Sequence, residues 1–471
     1  MKHLIDKFEK QVQNTPNKKA ILFCDGTSIS FKELDLLSNK IANYLKAENL
    51  KPRDVVAIRN NKTKYGFATM IACLKSGVIY TNYDFSNPQE RIDKMFRTAQ
   101  PKLVVVDTEL DKKINAFSEK FDAPAFEAET PAYIMFTSGS TGIPKGVLIK
   151  QSAISNFAEW AYGAYELSPD DIMTNVNPIY FDNSVFDFYC SVFNGITMAA
   201  FPKEIVEQPK KMVELIDELG CTFWFSVPSF IIYLMNIKLL NGNTFKKLRA
   251  FSFGGEGFPK PLLKKLHGIY PEKDLYNVYG PTEGTCICSA YKVRESDLED
   301  MEGLVTLGNI APIFDYKIVD GELWLGGPQI AVAYYNDPVR TEKSFTRDGF
   351  YKTGDLVEEI DGKLYFKGRA DNQIKHMGYR IELEEIEAGL IKLPYVKQCA
   401  VVHGKTATGF PRLVAYLHLS ENKEQSEVRD DLKKYLPSYM IPTNFEFPEK
   451  LPKNANGKVD RVKLKELAGL H

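Results

Sequence analysis

The chain of 471 residues has little cysteine, little histidine and almost no net charge. Its 7 cysteines are scattered, and the one close pair, Cys286-x-Cys288, lacks the spacing of a zinc site. They read as the reduced thiols of a cytoplasmic protein. The 6 histidines form no H-x-x-x-H arrangement, which argues against a metal site built from protein nitrogen and sulfur. Lys+Arg of 60 against Asp+Glu of 61 gives a net charge of −1, so there is no global positive field to hold nucleic acid or an anionic membrane. No run approaches the length of a membrane-spanning helix. The first residues, MKHLIDKFEKQVQNTPNKKA, lack the apolar core of a signal peptide. Repeats and low-complexity tracts are missing too. A soluble, intracellular protein without membrane insertion is expected. Hydrophobic content of 44 % and charged content of 26 % exclude a disordered or fibrous chain.

Short apolar strands alternate with helical patterns over most of the length. Val55 to Ile58, Leu103 to Val106 and Thr222 to Val227 read as buried strands, and Lys64 to Lys75 and Ser229 to Leu239 as helices. This alternation predicts parallel sheets covered by helices. After Gly321 to Leu325 the pattern shifts to short strands and turns, with Asp361-Gly362 marking a hairpin. From Asp371 onward a compact α+β unit is expected. It has helices at Leu383 to Leu390 and Ser426 to Tyr435, strands at Cys399 to His403 and Leu413 to Leu419, and a rigid surface turn at Leu436 to Pro442. The predicted fold is therefore α/β and α+β. A large N-terminal domain, 1–370, combines helix-covered sheets with a small β subdomain, and a small C-terminal α+β domain spans 371–471.

The most informative segment is Thr137-Ser138-Gly139-Ser140-Thr141-Gly142-Ile143-Pro144-Lys145-Gly146, which follows the apolar strand Ala132 to Phe136. Three glycines let backbone N–H groups approach an anion, and four hydroxyls and one lysine add donors. A polyphosphate needs such a loop. The Walker A pattern cannot be laid over it.

With this loop, a series of motifs resembles the adenylate-forming enzymes, the superfamily of acyl-CoA synthetases, luciferases and adenylation domains of nonribosomal peptide synthetases. In order they are Ser30-Phe31-Lys32-Glu33-Leu34, Leu74-Lys75-Ser76-Gly77, the Ser/Thr/Gly loop, Tyr279-Gly280-Pro281-Thr282-Glu283, Tyr351-Lys352-Thr353-Gly354-Asp355-Leu356, Gly368-Arg369-Ala370-Asp371 and Asn456-Gly457-Lys458. The resemblance runs from about residue 5 to the end. It implies ATP and Mg²⁺ as cofactors. Tyr279 offers a face for adenine, where stacking is worth about 1–3 kcal/mol. Glu283 is a hard oxygen ligand for Mg²⁺ held against phosphate. The Thr282 hydroxyl can donate to a phosphate oxygen. By resemblance, Asp355 takes the ribose hydroxyls, Arg369 supports ribose or phosphates, and Gly254-Gly255-Glu256 lies along the adenine, with Asn277 and Gly280 also at the nucleotide. Lys458 would bridge the substrate carboxylate and the α-phosphate. Asp371 matches the hinge of a mobile C-terminal domain, and Gly378 the entry for a pantetheine thiol.

Phe181-Asp182-Asn183-Ser184-Val185-Phe186 resembles the amino-acid-activating branch, in which the aspartate pairs with the substrate's ammonium. The same residue is suited to cap a helix, and the two roles are compatible. By matching, the other pocket walls are Asn183, Phe186, Phe225, Phe251, Phe253, Val278, Cys286 and Ile287. Four phenylalanines and no formal charge favour a small, neutral amino acid. The chain most resembles stand-alone D-alanine–carrier protein ligases. Gly254 stands where those ligases carry a cysteine, which leaves L-amino acids open as well. The expected reaction is formation of an aminoacyl-AMP with release of pyrophosphate, then transfer to the phosphopantetheine of a carrier protein in trans, since the chain ends soon after Lys458. The alternatives are a ligase forming an acyl-CoA or amide, and a catalytically dead relative.

Overall fold

The computed structural model describes residues 4–127, 129–139, 142–406, 411–453 and 459–470. The chain divides into two compact units. One comprises Met1–Tyr83, Ala99–Phe136 and Gly146–Gly368; the other comprises Asp84–Thr98, Thr137–Lys145 and Arg369–His471.

The first unit is built on two helix-covered sheets and a β meander. In the eight-stranded sheet, six neighbouring strands run parallel, from Asp274–Tyr279 through Ala250–Phe253, Phe223–Ser226, Ile172–Asn175 and Thr197–Ala200 to Lys19–Phe23. Antiparallel strands, Ser289–Lys292 and Ser28–Ser30, close its two edges. The six-stranded sheet sets Val55–Arg59 between Ile79–Asn82 and Leu103–Val106, all parallel, and continues through Pro131–Thr137 and Lys145–Lys150 to Ala333–Tyr334. Strands buried on both faces read as continuous apolar runs, which is why they stand out in the sequence. The meander runs Asp315–Val319, Glu322–Gly326, Tyr351–Ile360, Lys363–Arg369. Its last turn is Asp361-Gly362, with φ of 51° and 73°, the left-handed pair that a two-residue hairpin requires.

The two early motifs have structural roles. Ser30 caps the helix Phe31–Ala47 in a capping box: its hydroxyl accepts from the Glu33 N–H, and Glu33 accepts from the Ser30 N–H at 2.8 Å. Gly77 ends the helix Lys64–Ser76 in the left-handed conformation, φ 66°. Lys75, buried on that helix, meets Asp35 at 2.5 Å and donates to Asn39 at 2.6 Å, joining it to the capped helix.

The second unit carries a three-stranded sheet. Val396–Lys405 pairs antiparallel with Pro411–Leu419, which pairs parallel with Asn444–Glu446. The helices Leu383–Ile391, Gln425–Leu432 and Arg461–Leu467 accompany it. The expected helix to Tyr435 stops at Leu432, since Pro437 disfavours helical backbone just before it. The segment Leu436 to Pro442 is not a surface turn: Leu436 and Met440 are buried in the unit's core. A two-stranded hairpin, Gln373–His376 with Tyr379–Glu382, turns at Met377-Gly378, where both φ values are positive, 51° and 84°.

His376 of that hairpin meets His403 of the main sheet edge-to-face, ring centres 5.2 Å apart. Burial pushes both imidazoles down, to about 4 and about 3, and neighbouring Lys465 and Lys405 add to the effect on His403. In the unfolded chain both protonate near 6.5. Stability is therefore complete above pH 6.5 and declines as pH falls from 6.5 towards 4, because the unfolded state binds protons that the folded state refuses. Urea denaturation at pH 7.5 and 5 should show this loss, and His376→Phe should reduce it to the part due to His403.

No helix among the described residues is long and apolar enough to cross a membrane.

Candidate active site

The strand Asp274–Tyr279 delivers the Tyr279–Glu283 motif at its end. Tyr279 is almost completely buried, and its hydroxyl donates to Asp355 Oδ2 at 2.6 Å. Burial first, and then the Asp355 carboxylate, push the phenol well above its ordinary range, so it stays a donor. Asp355 is placed by the strand Tyr351–Ile360, and its own N–H donates to Thr353 Oγ1 at 3.0 Å. Two residues distant in sequence, assigned by resemblance to adenine and ribose, are thus adjacent.

Gly280 has a concrete reason to be glycine: a Cβ there would lie 2.1 Å from the Cys286 carbonyl oxygen. The chain after Glu283 turns sharply, with Thr285 and Cys286 both at positive φ, 56° and 79°. This is costly for a β-branched residue and persists where surrounding bonds over-determine it. Thr285 Oγ1 donates to the Gln329 carbonyl at 2.7 Å, and the Ala331 N–H donates to the Glu283 carbonyl at 2.7 Å. Glu283 is fully buried, and Oε1 accepts from the Tyr334 hydroxyl at 2.6 Å. Tyr334 was not legible in the sequence, where a tyrosine on an edge strand carries no signal of a carboxylate partner.

Asp182 immediately precedes the helix Asn183–Val192 but makes no side-chain capping bond to it. Its carboxylate instead accepts from Thr282 Oγ1 at 2.5 Å, across 100 residues of sequence. Phe186 of the same helix packs edge-to-face on Phe225, ring centres 5.0 Å apart. Phe186, Phe225, Val278, Cys286 and Ile287 belong to one buried cluster. Asn183 is half-buried at the start of the helix. Phe251 and Phe253 lie elsewhere. Phe225 pairs with Ser252, so strand alternation sends Phe251 and Phe253 to the opposite face of the sheet. There Phe251 packs on Phe245 and Tyr270, and Phe253 on Phe258. A Cβ at Gly254 would stand 2.6 Å from Val278 Cγ2, so a larger residue there requires Val278 to move. Glu256 accepts from Ser229 Oγ at 3.1 Å, Gly255 adopts φ 86°, and the Asn277 amide is spent on the carbonyls of Thr306 (2.9 Å) and Val305.

The helix that follows Asp182 also carries Asp187, the centre of a polar network for which the sequence holds no signal. Asp187, fully buried, accepts from Asn175 at 2.9 Å and Asn177 at 3.0 Å, and Asn177 also donates to the Phe225 carbonyl. The Lys62 ammonium donates to the carbonyls of Asn175 (2.7 Å) and Phe201 (2.9 Å). Burial drives Lys62 down and Asp187 up, and each charge opposes the shift of the other. The network joins the helix carrying Phe186 to the strand carrying Phe225.

In the second unit, Thr137 Oγ1 is buried with no hydrogen-bond partner among the described residues. Ser138 donates to the Arg380 carbonyl at 2.6 Å, the Gly139 N–H donates to Glu385 Oε2 at 3.2 Å, and Lys145 lies 3.8 Å from Glu382. Glu385 also pairs with Arg91. Gly142 turns at φ 72° and its carbonyl accepts from Lys94 at 2.9 Å. Loop donors that suit an anion thus face carboxylates and a carbonyl. Arg369 holds Asp371 through two bonds, 2.6 and 2.7 Å. Burial raises the Asp371 carboxyl, but Arg369 outweighs it and the net shift is downward. Gly378 sits in the hairpin turn. Ser140, Thr141 and Lys458 lie outside the described residues.

The sequence profile of AMP-binding enzymes matches residues 8–335, and that of the AMP-binding enzyme C-terminal domain matches residues 385–458. The chain belongs to the AMP-binding enzyme family. Over 98 % of both chains it is 31 % identical to a D-alanine--D-alanyl carrier protein ligase of Bacillus anthracis (strain CDC 684 / NRRL 3495), and 30 % identical to that of Bacillus cereus (strain ATCC 10987 / NRS 248). Among solved structures, the Vibrio cholerae adenylation domain AlmE, in complex with glycyl-adenosine-5'-phosphate, superposes with a TM-score of 0.85 at 21 % identity, covering 99 % of this chain and 97 % of that one. An NRPS protein containing adenylation and PCP domains gives 0.85 at 23 %, covering 99 % and 84 %. These two share the fold of this AMP-binding enzyme.

Proposed function

We propose that this AMP-binding enzyme activates a small, neutral amino acid. The amino acid's carboxylate oxygen attacks the α-phosphorus of ATP, pyrophosphate leaves, and the aminoacyl-AMP then yields its acyl group to the phosphopantetheine thiol of a carrier protein, releasing AMP. The observation that carries the reading is Asp182: its carboxylate leaves its own helix uncapped and sits hydrogen-bonded to Thr282, one residue before Glu283. An ammonium taken from water needs such a counter-charge. A carboxylic acid without an amino group would leave it unused. The relatives named as carrier protein ligases support the acceptor. The attacking carboxylate is ionised at pH 7, so the step needs positioning and phosphate neutralisation rather than a general base.

Tyr279 takes the adenine face, Asp355 the ribose hydroxyls, and residues 137–145 with Lys458 the phosphates. Arg369 supports them, with Gly254, Gly255, Glu256, Asn277 and Gly280 at the base. Among the described residues no group of three or more metal-ligating side chains occurs. A Mg²⁺ held mainly by phosphate oxygens and water requires only one or two carboxylates, and the buried Glu283 is of the right chemistry. Bound there, the ion would offset phosphate charge. Phe186, Phe225, Val278, Cys286 and Ile287 bound a compact, uncharged side-chain space. We assign residues 371–471 as a mobile domain hinged at Asp371, with Gly378 beside the incoming thiol. The free thiols fit a cytoplasmic location.

ATP–pyrophosphate exchange tests the reading. Glycine and both enantiomers of alanine and serine are compared with acetate, propionate and aryl acids. Exchange is expected with one or more of the amino acids and not with the simple acids. Exchange confined to the simple acids would refute it.

A further inference from the structure

The single hydroxyl proton of Thr282 has two claimants. It is given to Asp182 Oδ2 at 2.5 Å, although Thr282 stands beside Glu283 in the motif assigned to the phosphates. Thr282 is 6 % exposed, so bulk water is a poor third option. A hydroxyl can donate only once. Whichever anion holds the proton, the other goes without it.

We infer that Thr282 couples the two substrates, its hydroxyl passing from Asp182 to a phosphate oxygen of ATP when the amino acid's ammonium reaches Asp182. This rests on the proposed role of Asp182 as the amino-group anchor. Until an ammonium reaches Asp182, its carboxylate holds the Thr282 hydroxyl in a charge-assisted hydrogen bond. An ammonium neutralises that carboxylate and weakens its hold on the hydroxyl. Thr282 then turns to the more anionic phosphate. The reverse also holds: when phosphate takes the hydroxyl, Asp182 loses a donor and binds an ammonium more strongly. Coupling free energy is reciprocal, so each substrate tightens the other by the same factor. The consequence for this enzyme is selectivity. An acid without an amino group, even if it enters the pocket, fails to release Thr282 and gains no help in binding ATP.

The test is calorimetric binding of α,β-methylene-ATP with Mg²⁺, whose blocked α–β bridge prevents turnover. It is run alone, with saturating alanine (the enantiomer more active in exchange), and with saturating propionate. For the natural protein, alanine is expected to tighten the nucleotide about tenfold, within the usual range of coupling between sites. Propionate is expected to change it less than about twofold on the same argument. Thr282→Ser, which keeps the proton, should retain the tightening, and Thr282→Val should lose it. No tightening in the natural protein, equal tightening by propionate, or undiminished tightening in Thr282→Val would each overturn the proposal. Asp182→Asn separates the two readings. If it binds alanine as well as the natural protein does, the anchor reading falls and the coupling falls with it. If it abolishes alanine binding while Thr282→Val keeps the full tightening, the anchor stands and only the coupling is overturned.

Discussion

Asp182→Ala is expected to lower amino-acid-dependent pyrophosphate exchange by about 2–5 kcal/mol, roughly 30- to 5,000-fold in kcat/KM, because the substrate's ammonium is left without its counter-charge. The charge pair is present in ground state and transition state alike. Most of the loss should therefore appear in KM for the amino acid, with a smaller effect on kcat. The KM for ATP should change less. The fold should tolerate the change, since the Asp182 side chain makes no capping bond to its helix. Binding of a deaminated acid should not weaken in parallel, because that acid makes no use of the carboxylate. A uniform loss across amino acids and simple acids would show that Asp182 serves structure rather than recognition.

The residues that suggest this role are legible in sequence, yet the partner that supports them is not. Phe181-Asp182-Asn183-Ser184 leaves open whether the aspartate caps a helix or meets a substrate. Only the fold shows the carboxylate turned towards Thr282. The strands at Val55, Leu103 and Thr222 could be read because burial on both faces leaves uninterrupted apolar runs. The hairpin at Asp361-Gly362 could be read because few residues accept two successive positive φ values. Phe251 and Phe253 show the limit of motif matching. They alternate with Ser252, and the register with Phe223–Ser226 sends them away from Phe225. The pairings Tyr279 with Asp355 and Tyr334 with Glu283 join residues 76 and 51 positions apart, and nothing local foretells them. The grouping of residues 84–98 and 137–145 with 369–471 is likewise a tertiary fact. It turns on single side chains such as Arg91 and Glu385 rather than on any pattern of hydrophobicity.

Lys62→Met is expected to destabilise the first unit by about 1.5–3 kcal/mol for each hydrogen bond that the buried ammonium makes. The ammonium satisfies two buried carbonyls, on Asn175 and Phe201, and offsets the Asp187 carboxylate. Without it the Phe201 carbonyl loses its ammonium donor, the Asn175 carbonyl keeps the Phe201 N–H at 3.2 Å, and Asp187 stays buried beside Asn175 and Asn177 without the offsetting charge. Urea denaturation should show the shift in midpoint. Adding Asp187→Asn should return part of the loss, because the double change removes the uncompensated charge. The same network ties Asn177 to the Phe225 carbonyl. A surviving Lys62→Met protein should therefore bind its amino acid less tightly while keeping its affinity for ATP. A single variant as stable as the natural protein would show that Asp187 is held neutral and that Lys62 contributes little.

The most direct trial of the account is a crystal structure with a non-hydrolysable aminoacyl-sulfamoyl adenosine, made from the amino acid that exchanges fastest. The account predicts the ligand's amino nitrogen within about 3 Å of an Asp182 carboxylate oxygen. A ligand whose nitrogen is held by other groups, with Asp182 facing elsewhere, would contradict it.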